Sequence, residues 1–115
     1  MKRLFVLILL NFFGSSFAST WVELHSNYKE LHNYVDLSSK VKRGDIVDVW
    51  TKNTSDGNSN FELDHFNIYC KTEKYTSIYL SFKENNLIDI RKRTDLYDIP
   101  KEDYTITRQL FNFFC

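Results

Sequence analysis

The residues of this chain best suited to chemistry are two cysteines, three histidines and two short basic runs. Free thiols or a metal pair are the alternatives to a disulfide between Cys70 and Cys115, the last residue, and the absence of Cys-x-x-Cys spacing speaks against them. Both cysteines lie downstream of a segment that reads as a secretory signal peptide. In an oxidising compartment such a pair normally closes, so a Cys70–Cys115 disulfide is the expectation. His25, His32 and His65 fall on three different predicted strands, and no pair has metal-ligand spacing. They read as strand-surface or partly buried histidines. His65 follows Asp64, but neighbouring strand residues point to opposite faces and make no dyad. Ser38 and Ser39 sit in a predicted turn without a Gly-x-Ser-x-Gly context. Carboxylates are plentiful (Asp45, Asp48, Asp64, Asp89, Asp95, Asp98), and nothing singles out a pair. The residues therefore point to no catalytic group, no metal and no cofactor.

The basic runs are Lys40-Val41-Lys42-Arg43 and Arg91-Lys92-Arg93, the second followed by an acidic stretch over residues 95–103. Solvated turns and edge-strand charges that discourage aggregation are one reading. Docking of an acidic partner is the other, with Arg91, Lys92, Arg93, Lys40, Lys42 and Arg43 as the candidate contacts.

The N-terminus has the three parts of a signal peptide. Lys2 and Arg3 precede an unbroken apolar run over residues 4–10, and Ser16 and Ala18 form a small-x-small cleavage pattern, so cleavage is placed after Ala18. The run is about half the ~20 apolar residues a transmembrane anchor needs. No cysteine follows the site to carry a lipid. Residues 19–115 then form one domain. Cleavage removes two of the 15 basic residues and none of the 15 acidic ones, leaving a slightly acidic chain with no field to attract nucleic acid or an anionic membrane. Aromatic residues make up 17% of the chain, with only 3 Gly and 1 Pro, which excludes a disordered or low-complexity class.

Most of the exported part has the two-residue period of strands. Segments 20–25 (TWVELH), 31–37 (LHNYVDL), 46–54 (IVDVWTKNT), 61–71, 75–82 and 87–91 are predicted strands. The strongest is 46–54, with Val47, Val49 and Thr51 on one face. Ser38-Ser39-Lys40, Lys42-Arg43-Gly44-Asp45, Asp56-Gly57 and Lys83-Glu84-Asn85-Asn86 are predicted turns. Cys70 is placed in a central strand. After Asp98-Ile99-Pro100 the period changes. Thr105 looks like an N-cap, and Ile106, Leu110 and Phe114 follow at helical spacing, giving a helix of about ten residues. A helix that short is marginal alone, and Cys115 is its natural tether. The fold class expected is α+β: an antiparallel sheet of five to six strands with a short C-terminal helix held by a disulfide.

The ordered set of Trp21-Val22, Tyr34-Val35-Asp36-Leu37-Ser38-Ser39, Lys42-Arg43-Gly44-Asp45-Ile46-Val47, Val49-Trp50, Cys70 with Tyr75 after it, and a terminal helix ending in Cys115 resembles the surface-adhesin protein E-like domain of bacterial exported proteins. The chain departs from that family in three places. Leu96-Tyr97-Asp98-Ile99-Pro100 lacks the tryptophan often found there, Lys83-Glu84-Asn85-Asn86 replaces a glycine-rich hairpin, and the lipid-bearing cysteine of the naming adhesin is missing. The resemblance implies a non-enzymatic binding protein, periplasmic or secreted and in some members surface-associated. Its partner would be a host extracellular-matrix or plasma protein, or an envelope protein; a homodimer is a further arrangement. The competing expectations are a periplasmic inhibitor or immunity-type protein, blocking an enzyme with the acidic 95–103 stretch, and a structural accessory of an envelope assembly. Asn53-Thr54-Ser55 has the form of a glycosylation acceptor, which in a bacterial chain is only loop polarity.

Overall fold

A computed structural model describes residues 20–27, 31–54 and 59–115. The expected signal peptide and the Asp56-Gly57 turn lie outside the described residues. In chain order the elements are β1 (Trp21–Leu24), β2 (His32–Asp36), a 3-10 turn (Leu37–Ser39), β3 (Val41–Arg43), β4 (Ile46–Thr54), β5 (Phe61–Tyr69), β6 (Lys74–Lys83), β7 (Asn86–Asp98) and one helix, α1 (Ile106–Phe114). The strands form one antiparallel sheet in the order β1-β2-β4-β5-β6-β7, with β3 also paired to β4. The α+β class holds, but the sheet has seven strands where five to six were expected.

The extra strand is β3. Its Lys42 and Arg43 read as turn residues because they are polar, yet a strand paired on one side only can turn polar side chains to water. The reversal that follows is made by Gly44, whose φ of +63° favours glycine. β2 and β3 share one edge of β4, the first against Thr51 to Thr54 and the second against Ile46 to Asp48. The 3-10 turn between them is tied down by Asp36. This buried carboxylate accepts hydrogen bonds from the Thr20 and Ser38 amides (both 3.0 Å) and from the Ser38 hydroxyl (2.6 Å). The Ser39 hydroxyl donates to the Asp36 carbonyl (2.7 Å) and accepts from the Trp50 amide (3.0 Å). Both serines of the Asp-x-Ser-Ser motif are therefore structural caps.

Two further expectations are corrected. The last strand does not stop at Arg91. Register shifts between Tyr75 and Ser77 and between Ser81 and Phe82 let β7 continue to Asp98. Cys70 is not in a central strand. β5 ends at Tyr69, and Cys70 lies in the following turn, its amide bonded to the Asp45 carbonyl (2.9 Å).

The core forms where alternating apolar residues of neighbouring strands meet α1. Val35, Val47, Val49, Phe66 and Ile68 are buried with Ile99 and Leu110, and Ile106, Phe111 and Phe114 pack against them. Thr105 caps α1 by accepting from the Arg108 amide (3.3 Å). Cys115 closes a disulfide with Cys70 across a sequence separation of 45. A loop of that length removes unfolded-state entropy worth about 4 kcal/mol in the chain-entropy account. Side-chain clamps act alongside it. Buried Arg108 donates to the carbonyls of Pro100 (2.7 Å) and Ile99 (3.3 Å) and to Glu73 (3.0 Å). The Gln109 amide pairs with both backbone groups of His25 (2.8 and 2.9 Å), joining α1 to the end of β1 as a strand partner would. No described helix is long and apolar enough to cross a membrane.

Candidate functional site

Cross-strand partners share a face of the sheet, so the register divides the side chains into two surfaces. On the face that carries α1, one row runs Val22, Val35, Thr51, Asp64, Tyr79, Arg91, and the next runs Val49, Phe66, Ser77, Arg93. The rows are apolar under the helix and become polar toward β7. The helix is too short to cover the whole face. Beyond it lies a cleft of about 350 Å³ lined by Asp64, Phe66, Tyr75, Ser77, Tyr79, Arg91 and Arg93.

The opposite face bears no helix among the described residues. Its rows are Tyr34, Lys52, Leu63, Leu80, Ile90, then Trp50, His65, Ile78, Lys92, and His32, Thr54, Phe61, Phe82, Leu87. Trp50 stacks on His65 and Phe61 on Phe82, both with ring centroids 4.7 Å apart. The Lys52 ammonium lies 5.0 Å from the centre of the Phe61 ring and 5.8 Å from that of Trp21. Trp21, Asp36, Trp50 and Leu63 line a shallow depression of about 240 Å³ on this side. A solvated sheet face usually alternates to polar residues. This one carries most of the chain's large apolar strand residues.

The basic runs do not form one patch. Arg91 and Arg93 point into the cleft, and Lys92 between them falls on the helix-free face, as the strand period requires. Lys40, Lys42 and Arg43 lie at the other side of the sheet, next to β4. Lys40 sits 6.0 Å from the Phe114 ring centre. Lys42 is exposed opposite Val47, and Arg43 holds Asp48 through two hydrogen bonds (2.8 and 3.0 Å). That pairing keeps the Asp48 carboxyl below the usual carboxylate range. The acidic 95–103 stretch is divided. Asp95 and Asp98 belong to β7, with Asp98 tied to Lys74 (2.6 Å), and Glu102 and Asp103 occupy the turn before α1.

The histidines are likewise dispersed. His32 Nδ1 is 2.9 Å from Glu23, His65 is stacked on Trp50, and His25 is held through its backbone by Gln109. Among the described residues, no three His, Cys, Asp or Glu side chains gather as metal ligands would.

Asp64 stands out in the cleft. Burial, reinforced by the Glu62 charge and opposed by Arg93, pushes its carboxyl up to about 6. Tyr79 is also raised, by burial and by the hydrogen bond it donates to Glu62 (2.6 Å). In the sequence Asp64 is one of many carboxylates, and Ser77 and Tyr79 are ordinary positions of a strand. Only the β5–β6–β7 register assembles them with Arg91 and Arg93.

The chain matches no family model, no curated protein and no solved structure.

Proposed function

We propose that this chain is an exported, non-enzymatic binding protein that recognises a protein partner through the helix-free face of its sheet. The observation that carries the reading is the composition of that face. Trp21, Tyr34, Trp50, Leu63, Ile78, Leu80, Phe61 and Phe82 share one surface of the sheet, with Lys52 set among their rings and Glu23 and Lys92 toward the edges. Protein-binding patches share these features: aromatic anchors at the centre and a polar rim. The resemblance to surface-adhesin E-like domains supports a matrix or plasma protein as the partner. The Cys70–Cys115 disulfide accords with an oxidising compartment.

The test is surface plasmon resonance of residues 19–115 against a panel of immobilised matrix and plasma proteins at physiological salt. Saturable binding, weakened at least about tenfold in Trp50→Ala, is the expected result, since buried tryptophans at such surfaces are worth 2 kcal/mol or more. Absence of saturable binding to every panel member, or a Trp50→Ala variant that binds like the parent, overturns the proposal.

A further inference from the structure

The cleft on the other face has features that core packing does not explain. The Ser77 side chain is only 5% exposed, and its hydroxyl has no hydrogen-bond partner among the described residues. The Asp64 carboxylate, half-buried beside it, accepts no hydrogen bond and makes no ion pair among the described residues. Buried polar groups are normally satisfied, and each exception calls for a cause. Arg93 also stands in no ion pair among the described residues, with its guanidinium 5.5 Å from the Tyr97 ring centre. Arg91 gives its Nε to Asp89 (2.9 Å) and lies 5.8 Å from the Tyr79 ring centre.

We propose that this cleft binds an acidic sugar unit, with Arg93 and Arg91 on its carboxylate, Asp64 and Ser77 on its hydroxyls, and Tyr75 against the apolar face of its ring.

Each class of group in the cleft has a counterpart in such a ligand. Guanidinium groups match a carboxylate through paired N–H donors. Asp64 and Ser77 need donors and acceptors of the kind a sugar hydroxyl supplies in one group. The tyrosine ring offers an apolar platform. The cavity, at about 350 Å³, is at the small end of ligand pockets. A phosphate is a poorer match, because Asp64 and Glu62 repel a dianion more than a single carboxylate. A cationic ligand would meet both arginines.

The same geometry makes binding sensitive to acid. Asp64 is faced by Glu62 on its own strand, by Tyr79 on β6, and by Arg91 and Arg93 on β7, while β4 presents uncharged Thr51. With Asp64 ionised, its charge opposes the incoming carboxylate. Once protonated below about 6, it no longer does so, and it still bonds to a hydroxyl.

The experiment is a titration followed by NMR amide shifts, using residues 19–115 with glucuronate, glucose, acetate and a glucuronate-containing oligosaccharide. Glucuronate is expected to give saturable shifts on β5, β6 and β7, with glucose and acetate at least about tenfold weaker. The oligosaccharide distinguishes a free sugar from a polysaccharide unit: shifts at the same residues assign the site to a chain, and their absence assigns it to the monosaccharide. Arg93→Gln should weaken glucuronate about tenfold, the loss of one charge-assisted contact, and Lys92→Gln, on the opposite face, should change nothing. Wild-type affinity should rise several-fold from pH 7 to pH 5, and Asp64→Asn should be flat over that range. Absence of saturable shifts with glucuronate, equal binding of acetate or glucose, or Arg93→Gln binding at wild-type strength would each overturn the proposal. Failure here leaves the protein-binding face untouched, because the two sites lie on opposite sides of the sheet.

Discussion

Four charged residues show how this small domain distributes cost and stability. Asp64 binds its proton more tightly in the folded chain, at about 6, than the ordinary 3.8 of an unfolded aspartate. Between those values the folded state holds the extra proton, so stability falls as pH rises through that window, and above it the ionised carboxyl is a net burden of roughly 2–3 kcal/mol. Asp64→Asn should therefore be more stable than the parent at pH 7 by about 1–3 kcal/mol and about equal at pH 4. Urea denaturation at the two pH values checks this, and a variant less stable at pH 7 would refute it. Asp48 and Asp98 act oppositely. Hydrogen bonds from Arg43 and Lys74 depress their carboxyls, so their contribution is lost only as pH falls below the ordinary carboxylate range. Arg108 is a different case, a buried cation whose donors serve the carbonyls of Ile99 and Pro100 and the Glu73 carboxylate. Arg108→Met keeps the apolar stem beside Phe111 and strands those acceptors. A loss of about 2–3 kcal/mol is expected, read as a shift in the urea midpoint without a change in slope.

Among the elements, α1 depends on its tethers. Cys115→Ser removes the cross-link and should lower stability by about 2–4 kcal/mol, with the amides of α1 losing hydrogen-exchange protection ahead of those of β4 and β5. A variant that melts with the parent under non-reducing conditions would refute this. The elements legible in the sequence were those whose own period decides their state. β4 alternates β-branched residues, and Val47, Val49 and Thr51, read as sharing one face, are the ones the structure buries. Thr105 caps α1, and Leu110 enters the core. The elements misread are those decided by a partner. β3 is a strand because β4 offers it an edge, and β7 runs past Arg91 because bulges restore its pairing with β6. The cleft was illegible for the same reason. Arg91 and Arg93 were visible as a charge run, but Asp64 and Ser77 join them only through the register of three strands. The Gln109 clamp on His25 spans 84 positions of sequence, and no local pattern announces it.

At the scale of the molecule, the two faces of the sheet differ in how far their apolar residues are buried. One face buries Val35, Val47, Val49 and Ile68 under α1, and the other holds Trp50, Leu63 and Leu80 half-exposed. Shortening a core residue leaves a cavity that its neighbours only partly fill, so Leu110→Ala should cost about 2–5 kcal/mol. Leu63→Ser on the helix-free face removes apolar surface that stays partly in water, and should cost less than about 1.5 kcal/mol. If that face is the docking surface, the order reverses for binding. Leu63→Ser should weaken the partner complex about tenfold or more, mainly through faster dissociation, while Leu110→Ala, measured well below its melting temperature, should bind like the parent. Paired measurements of melting temperature and dissociation rate on the two variants test both statements. The assignment fails if the binding loss follows the stability loss, because binding would then report only the folded fraction and not contact at that face.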